Sequence, residues 1–72
     1  MDEKTQKLID DLNELAAGCP TEHGEGFAIA VKSIKAGSVS RGKAILETIG
    51  YDYNGDDCPS WNDRLLTLLE TN

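Results

Sequence analysis

The sequence predicts a single all-α domain, residues 1–72, folded as four short helices in a compact, antiparallel, bundle-like arrangement. Apolar residues recur at three- and four-residue spacing in four separate stretches, which is the spacing of one face of an α-helix. Each stretch begins at a Ser or Thr or ends at a Gly, residues that favour helix ends. Four helices joined in this way favour two helical hairpins packed against each other.

The first predicted helix covers residues 3–17. Negative charge at Asp2 and Glu3 favours a helix N-terminus, where the first backbone N–H groups lack partners. Gly18 follows the last residue of the pattern and Pro20 comes soon after, so we expect the helix to end there. The apolar stripe of this helix comprises Leu8, Ile9, Leu12, Leu15 and Ala16.

The second predicted helix covers residues 22–36, and two starting points are open. Gly24 and Gly26 weaken its first turns because glycine has a low helix propensity, so the alternative start is Glu25. Gly37 ends the helix. Its predicted core residues are Phe27, Ala30, Val31 and Ile34.

The third predicted helix covers residues 39–49, with Ser38 or Ser40 as N-cap and Gly50 as its end. Gly42 lies on its apolar face. Its missing side chain either allows another helix to approach closely or costs about 1 kcal/mol relative to alanine. The residues that share this face are Gly42, Ile45, Leu46 and Ile49.

The last predicted helix begins at residue 59 or 60 and reaches residue 70. The one long connection, residues 51–59, precedes it and contains the strong turn dipeptide Asn54-Gly55. The predicted buried face comprises Trp61, Leu65, Leu68 and Leu69, with Leu66 left over as a further apolar residue.

The net charge of −6, from 13 acidic and 7 basic residues, is typical of a small soluble domain and favours cationic partners. It disfavours nonspecific nucleic-acid binding, which depends on Lys and Arg. No apolar run is long enough to span a bilayer, so no membrane association is expected.

The cysteines and the N-terminus bear on the cellular compartment. Residues 1–4 are charged, and no apolar segment of a signal peptide follows them, so a cytoplasmic location is expected. Cys19 and Cys58 are then expected to be free thiols. In a secreted protein the same two residues would form a disulfide, and the sequence leaves both states open.

The Tyr–Asp connection carries the leading functional hypothesis, a protein-binding surface. Tyrosine and tryptophan are frequent at the centres of interfaces, and carboxylates guide the encounter with a basic partner. We therefore expect a small, acidic, non-enzymatic module of inhibitor, immunity or antitoxin type that binds another protein. The predicted partner-binding residues are Tyr51, Asp52, Tyr53, Asp56, Asp57 and Trp61.

Two alternatives to this surface stay open. In one, Tyr51 and Trp61 close the end of the bundle and only Tyr53 is exposed. In the other, the chain forms a homodimer, because a small bundle gains stability by doubling its core.

Nucleic-acid binding is an alternative function, carried by a helix-turn-helix-like unit at residues 27–49. Residues 26–46 contain four basic residues and no acidic ones. The acidic remainder of the chain argues against this function because it repels phosphate. The candidate contact residues are Lys35, Ser38, Ser40, Arg41 and Lys43.

Calcium binding at residues 52–63 is a second alternative, because oxygen ligands there follow the spacing of an EF-hand loop. The resemblance fails where Asp57 replaces the turn glycine, where Pro59 lacks an N–H, and where Asp63 is too short for a bidentate contact. The candidate ligands are Asp52, Asn54, Asp56 and Asp63, with Ser60 at the ninth loop position.

Other site chemistry finds little support in the sequence. Cys19, His23 and Cys58 could contribute to a zinc site, but the paired Cys-x2-Cys spacing is absent. One histidine, no nucleophile–base arrangement and no glycine-rich phosphate loop predict that the protein is not an enzyme and needs no cofactor.

Overall fold

Four helices and no strand are present within residues 2–18, 24–53, 58 and 60–71, which are the residues that this computed structural model describes. The predicted all-α class and the bundle-like arrangement are confirmed. The helices are α1 (Glu3–Gly18), α2 (Glu25–Lys35), α3 (Val39–Asp52) and α4 (Trp61–Thr71).

Helices that follow one another along the chain run antiparallel. Asp2, before α1, lies beside the end of α2, and Ala16, near the end of α1, lies beside Phe27 at the start of α2. The chain then closes on itself, because Trp61 at the start of α4 contacts Leu15 near the end of α1. The result is an up-down-up-down bundle in which each helix contributes an apolar face to one interior.

The interior is built from the predicted apolar faces. Every residue predicted for the face of α2 is buried, and on α1 only Ala16 is half-buried. Ile45, Ile49 and Leu68 lie at the edge of the core instead of inside it. Burial of apolar surface is the main stabilising term for such a bundle, at about 25 cal/mol per Å2. The buried core residues are Leu8, Ile9, Leu12, Leu15, Phe27, Ala30, Val31, Ile34, Leu46, Trp61, Leu65 and Leu69.

Gly42 is the point at which α2 and α3 approach most closely. A Cβ atom at this position would lie 2.7 Å from the carbonyl oxygen of Ala30 and would also overlap the side chain of Ile34. Real Cβ atoms essentially never come so close to other atoms. Of the two roles open for Gly42, close helix approach is therefore the one observed.

Gly50 does not end α3, and that prediction was wrong. The helix continues to Asp52, so Tyr51 and Asp52 form its last turn instead of the start of a loop. Gly50 is buried beneath Leu66 of α4, whose Cδ2 atom would lie 2.8 Å from a Cβ atom at residue 50. The glycine makes room for the neighbouring helix, which the local sequence pattern does not reveal.

The remaining helix ends follow from backbone geometry. Helix α2 begins at Glu25, the later of the two predicted starts, after the extended N-cap Gly24. Ser38 is the N-cap of α3. Helix α4 begins at Trp61 because Ser60 has a left-handed backbone with φ of 70°, so the predicted start at residue 59 or 60 was early.

The start of α1 is capped by Asp2. The Thr5 backbone N–H donates a 2.7 Å hydrogen bond to the Asp2 Oδ1 atom, which supplies one of the partners that a helix N-terminus lacks. The side chain of Thr5, followed by its backbone N–H, holds the pKa of the Asp2 carboxyl below its ordinary value of 3.8.

We expect this cap to make stability pH-dependent in a defined direction. A depressed pKa in the folded state means that the contribution of Asp2 is present above the unfolded pKa and is lost as the pH falls through the folded pKa. Asp2→Asn keeps an oxygen acceptor but does not titrate. Urea unfolding from about pH 5 to about pH 2 should therefore show a smaller loss of stability in Asp2→Asn than in the wild type. Equal losses in the two proteins would contradict this role.

Candidate partner-binding site

Trp61 anchors the end of the bundle where α1, α2 and α4 meet. Its side chain is only 2% exposed, and its ring centroid lies 6.0 Å from that of Phe27. Its indole Nε1–H donates a 3.3 Å hydrogen bond to the Leu15 carbonyl oxygen, which belongs to the last turns of α1 and lacks a full set of helical partners. This predicted binding residue therefore lies in the interior, behind the surface.

Tyr53 belongs to the same structural cluster. It is half-buried, and its ring centroid lies 5.4 Å from that of Trp61. Its hydroxyl donates a 3.0 Å hydrogen bond to the Cys58 carbonyl oxygen, which also accepts the Trp61 backbone N–H at 3.1 Å. The Cys58 carbonyl oxygen thus accepts two hydrogen bonds, one from Tyr53 and one from Trp61, and it links Tyr53 to the start of α4.

Cys58 is disulfide-bonded, so the expectation of a free thiol was wrong for this residue. A sulfur held in a disulfide is not a thiolate, and zinc coordination by cysteine requires the thiolate. The other two zinc candidates, Cys19 and His23, lie outside the described residues.

We expect Trp61→Phe to lower the free energy of unfolding by at least about 1.5 kcal/mol, because the Leu15 carbonyl then loses a buried donor and the smaller ring leaves a cavity in the core. Tyr53→Phe is the matched control. It removes a hydrogen bond in a part-buried position where water can substitute, so its cost should be about 0.5 kcal/mol. Urea unfolding followed by circular dichroism measures both values. Similar costs for the two variants would show that Trp61, through its hydrogen bond and its packing, does not anchor this end of the bundle.

Tyr51 is the most exposed large hydrophobic side chain among the described residues, at 76% exposure. Asp52, next to it at the end of α3, is also exposed. In the alternative in which Tyr51 and Trp61 close the end of the bundle and only Tyr53 is exposed, the burial of Trp61 is confirmed, whereas the positions given to the two tyrosines were wrong. Of the predicted partner-binding residues, Tyr51 and Asp52 therefore lie at the surface. Asp56 and Asp57 lie outside the residues that the structure describes.

A groove of about 200 Å3 between α3 and α4 runs beside Tyr51. It exists because Gly50 brings α4 close to α3 and leaves Leu66 next to the tyrosine. Sequence reasoning did not select Glu47, Leu66 or Glu70 for a site. The sequence feature that could have identified them is the i,i+4 spacing of Glu47 with Tyr51 and of Leu66 with Glu70, which places each pair on one face of its helix. We call this site the Tyr51 groove; its lining residues are Glu47, Tyr51, Leu66, Leu69 and Glu70, and Asp52 follows Tyr51 directly in the sequence.

The Tyr51 groove carries negative charge without internal compensation. Glu47, Asp52 and Glu70 are exposed, and none of them forms an ion pair within the part of the chain that the structure describes. The ion pair seen in that part joins Lys7 and Asp11 on α1, at 2.8 Å. Three unpaired carboxylates next to an exposed aromatic ring favour a cationic ligand.

The two helices that carry the residues of the alternative nucleic-acid site, α2 and α3, do not cross at the angle of a helix-turn-helix motif. Such motifs cross their two helices at roughly 90–120°. Here Gly42 packs against the C-terminal half of α2, and Ile49 lies 3.5 Å from a Cβ atom built on Gly26 at the start of α2. Contacts at both ends of α2 indicate a side-by-side hairpin. Of the proposed contact residues, Lys35, Ser38, Ser40 and Arg41 are exposed and Lys43 is half-buried.

No three His, Cys, Asp or Glu side chains come together as a metal site among the described residues. For the calcium alternative, Asp52 belongs to the last turn of α3 and Asp63 to the first turn of α4. Asn54 and Asp56, the ligands that would lie between them, are outside the described part of the chain.

Two further findings bear on function. None of the described helices is both long enough and apolar enough to traverse a bilayer. Comparison of the chain with protein-family models, with curated proteins and with solved structures found no significant match.

Proposed function

We propose that this chain is a protein-binding module that takes a basic segment of another protein at the Tyr51 groove. The observation that carries the proposal is the 76% exposure of Tyr51 beside carboxylates that have no cationic partner among the described residues. A large exposed aromatic side chain with apolar support is the usual centre of a binding interface. An inhibitor, immunity or antitoxin-type role suits a domain of this size and charge.

The chemistry of the groove favours arginine in the partner. A guanidinium group stacks on a tyrosine ring by cation–π attraction, and it donates paired hydrogen bonds to a carboxylate. Leu66, which is half-buried, provides apolar surface for the methylene groups of the same side chain. The net charge of −6 accelerates the encounter with such a partner.

Comparative capture tests this proposal. The wild-type protein, a groove variant (Glu47→Gln, Tyr51→Ala, Glu70→Gln) and a control variant (Glu3→Gln, Glu14→Gln) are used as bait in the same native extract. Both variants remove two negative charges, so nonspecific attraction of basic proteins is equal in the two. We expect the specific partner to be retained by the wild type and the control and to be depleted at least tenfold on the groove variant.

The purified partner then allows a kinetic test. Its association rate should fall as ionic strength rises, because charge steering is screened. Equal capture by the groove and control variants would contradict the proposal. Retention of the wild type on a polyanion column at low salt would favour the nucleic-acid alternative instead.

For the compartment, we give the disulfide at Cys58 more weight than the charged N-terminus. Structural disulfides persist in oxidising environments and are rare where thiols are kept reduced. The disulfide at Cys58 therefore supports action in an oxidising compartment, against the cytoplasmic location expected from the sequence. Alkylation of intact cells before lysis, followed by mass determination, tests this point: labelled Cys58 would support the cytoplasmic location.

A further inference from the structure

A second groove, which shares no residue with the Tyr51 groove, lies between α1 and α2. Its volume of about 370 Å3 falls at the lower end of the range for small-molecule sites. Its lining spans about two turns of α2, from Phe27 to Lys35, and about one turn of α1, from Asn13 to Ala16. Its lining residues are Asn13, Ala16, Phe27, Ala28, Val31, Lys32 and Lys35.

The floor of this groove is apolar. Phe27 and Val31 belong to the hydrophobic core, yet they also line the groove. Ala16 on α1 and Ala28 on α2 have short side chains, which leaves space between the two helices above that floor. Phe27 and Val31 are only 3% and 9% exposed, so most of the hydrocarbon surface that solvent reaches in this groove belongs to Ala16, which is half-buried, and to Ala28, which is exposed.

Two ammonium groups border the same groove. Lys32 and Lys35 are exposed residues of α2, and neither lies within 4.0 Å of a carboxylate among the described residues. Asn13 on the α1 side adds an amide that can donate hydrogen bonds. In a chain of net charge −6, this is a local reversal of charge directly beside an apolar surface.

We propose that the α1–α2 groove binds a monomeric, medium-chain alkyl carboxylate. The hydrocarbon lies over Ala16 and Ala28, against the exposed edges of Phe27 and Val31, and the carboxylate accepts hydrogen bonds from Lys32 or Lys35 at the edge of the groove. The charge selects an anionic head group over a neutral or cationic one.

Titration with sodium decanoate, below the concentration at which it forms micelles, tests the site. Amide chemical shifts in a 15N-labelled sample report where binding occurs. We expect saturable shifts confined to α1 and α2, with a dissociation constant of the order of 1 mM or tighter, as the efficiency of small ligands implies for twelve non-hydrogen atoms. Decyltrimethylammonium has the same chain with a cationic head group. It should not shift these amides, although the net charge of −6 attracts it.

Two variants separate the contributions of charge and shape. Lys32→Gln with Lys35→Gln should weaken decanoate binding about fivefold, whereas the charge-matched control Lys4→Gln with Arg41→Gln should not. Ala28→Leu keeps both lysines but fills the groove, and it should abolish the saturable shifts while the spectrum stays folded. Non-saturating shifts in the wild type would overturn the proposal. So would equal binding of the anionic and cationic ligands, or full affinity in Ala28→Leu.

Discussion

Reduction of the disulfide at Cys58 is expected to lower the free energy of unfolding by about 4 kcal/mol and the Tm by at least about 15 °C. The sequence contains only one other cysteine, Cys19, so a bond within the chain closes a loop of about 40 residues. In the chain-entropy model this closure restricts the unfolded state, which accounts for the size of the effect. A domain of 72 residues buries only about 60% of its unfolded surface, so the cross-link is a large share of its stability.

Thermal melting by circular dichroism, with and without a phosphine reductant, measures this contribution. The double variant Cys19→Ala, Cys58→Ala is the control. It should melt at the temperature of the reduced wild type, and the reductant should not change its Tm. If the wild type melts at the same temperature in both conditions, the disulfide does not stabilise the bundle.

Gly42→Ala is expected to lower the free energy of unfolding by about 2–3 kcal/mol and the Tm by about 10–20 °C. Alanine is the better helix former by about 1 kcal/mol, so a helix without tertiary contacts would gain stability from the change. Here the new methyl group would lie 2.7 Å from the carbonyl oxygen of Ala30, a backbone atom that cannot turn away. The hairpin of α2 and α3 must therefore separate to admit it, and the packing loss exceeds the propensity gain.

Two other glycines provide controls for this prediction in the same fold. A Cβ atom on Gly26 would lie 3.5 Å from the Ile49 Cδ1 atom, an ordinary contact, so Gly26→Ala should stabilise by up to about 1 kcal/mol. A Cβ atom on Gly50 would lie 2.8 Å from Cδ2 and 2.9 Å from Cγ of Leu66, a half-buried side chain that can move where the Ala30 backbone cannot, so Gly50→Ala should destabilise less than Gly42→Ala. If all three variants behave alike, helix propensity rather than close packing governs these positions.

The apolar periodicity was sufficient to predict the four helices and most of the core. The face of α2 illustrates why: Phe27, Ala30, Val31 and Ile34 repeat at helical spacing, and all four are buried. Spacing along one helix is a local property, so it can be read without knowledge of the partner helix. The same reasoning failed at Gly50, because the residue that explains it, Leu66, belongs to another helix.

The candidate site was predictable only in part. Tyr51 and Asp52 were selected correctly as surface residues, although they were placed in a loop. Tyr53 resembles Tyr51 in the sequence, and only its contacts with Trp61 and the Cys58 carbonyl distinguish a structural tyrosine from an exposed one. Glu47 and Glu70 lie far apart in the sequence and line one groove only because α3 and α4 pack side by side.

The sequence by itself determined the helices, their buried faces and the acidic character of the chain, because these depend on local spacing and on residue type. The tertiary structure decided where α3 ends, which tyrosine is exposed and which charges share a groove. Each of those outcomes depends on atoms from two helices, and the distance between such atoms is set by the packing of the helices rather than by any single segment.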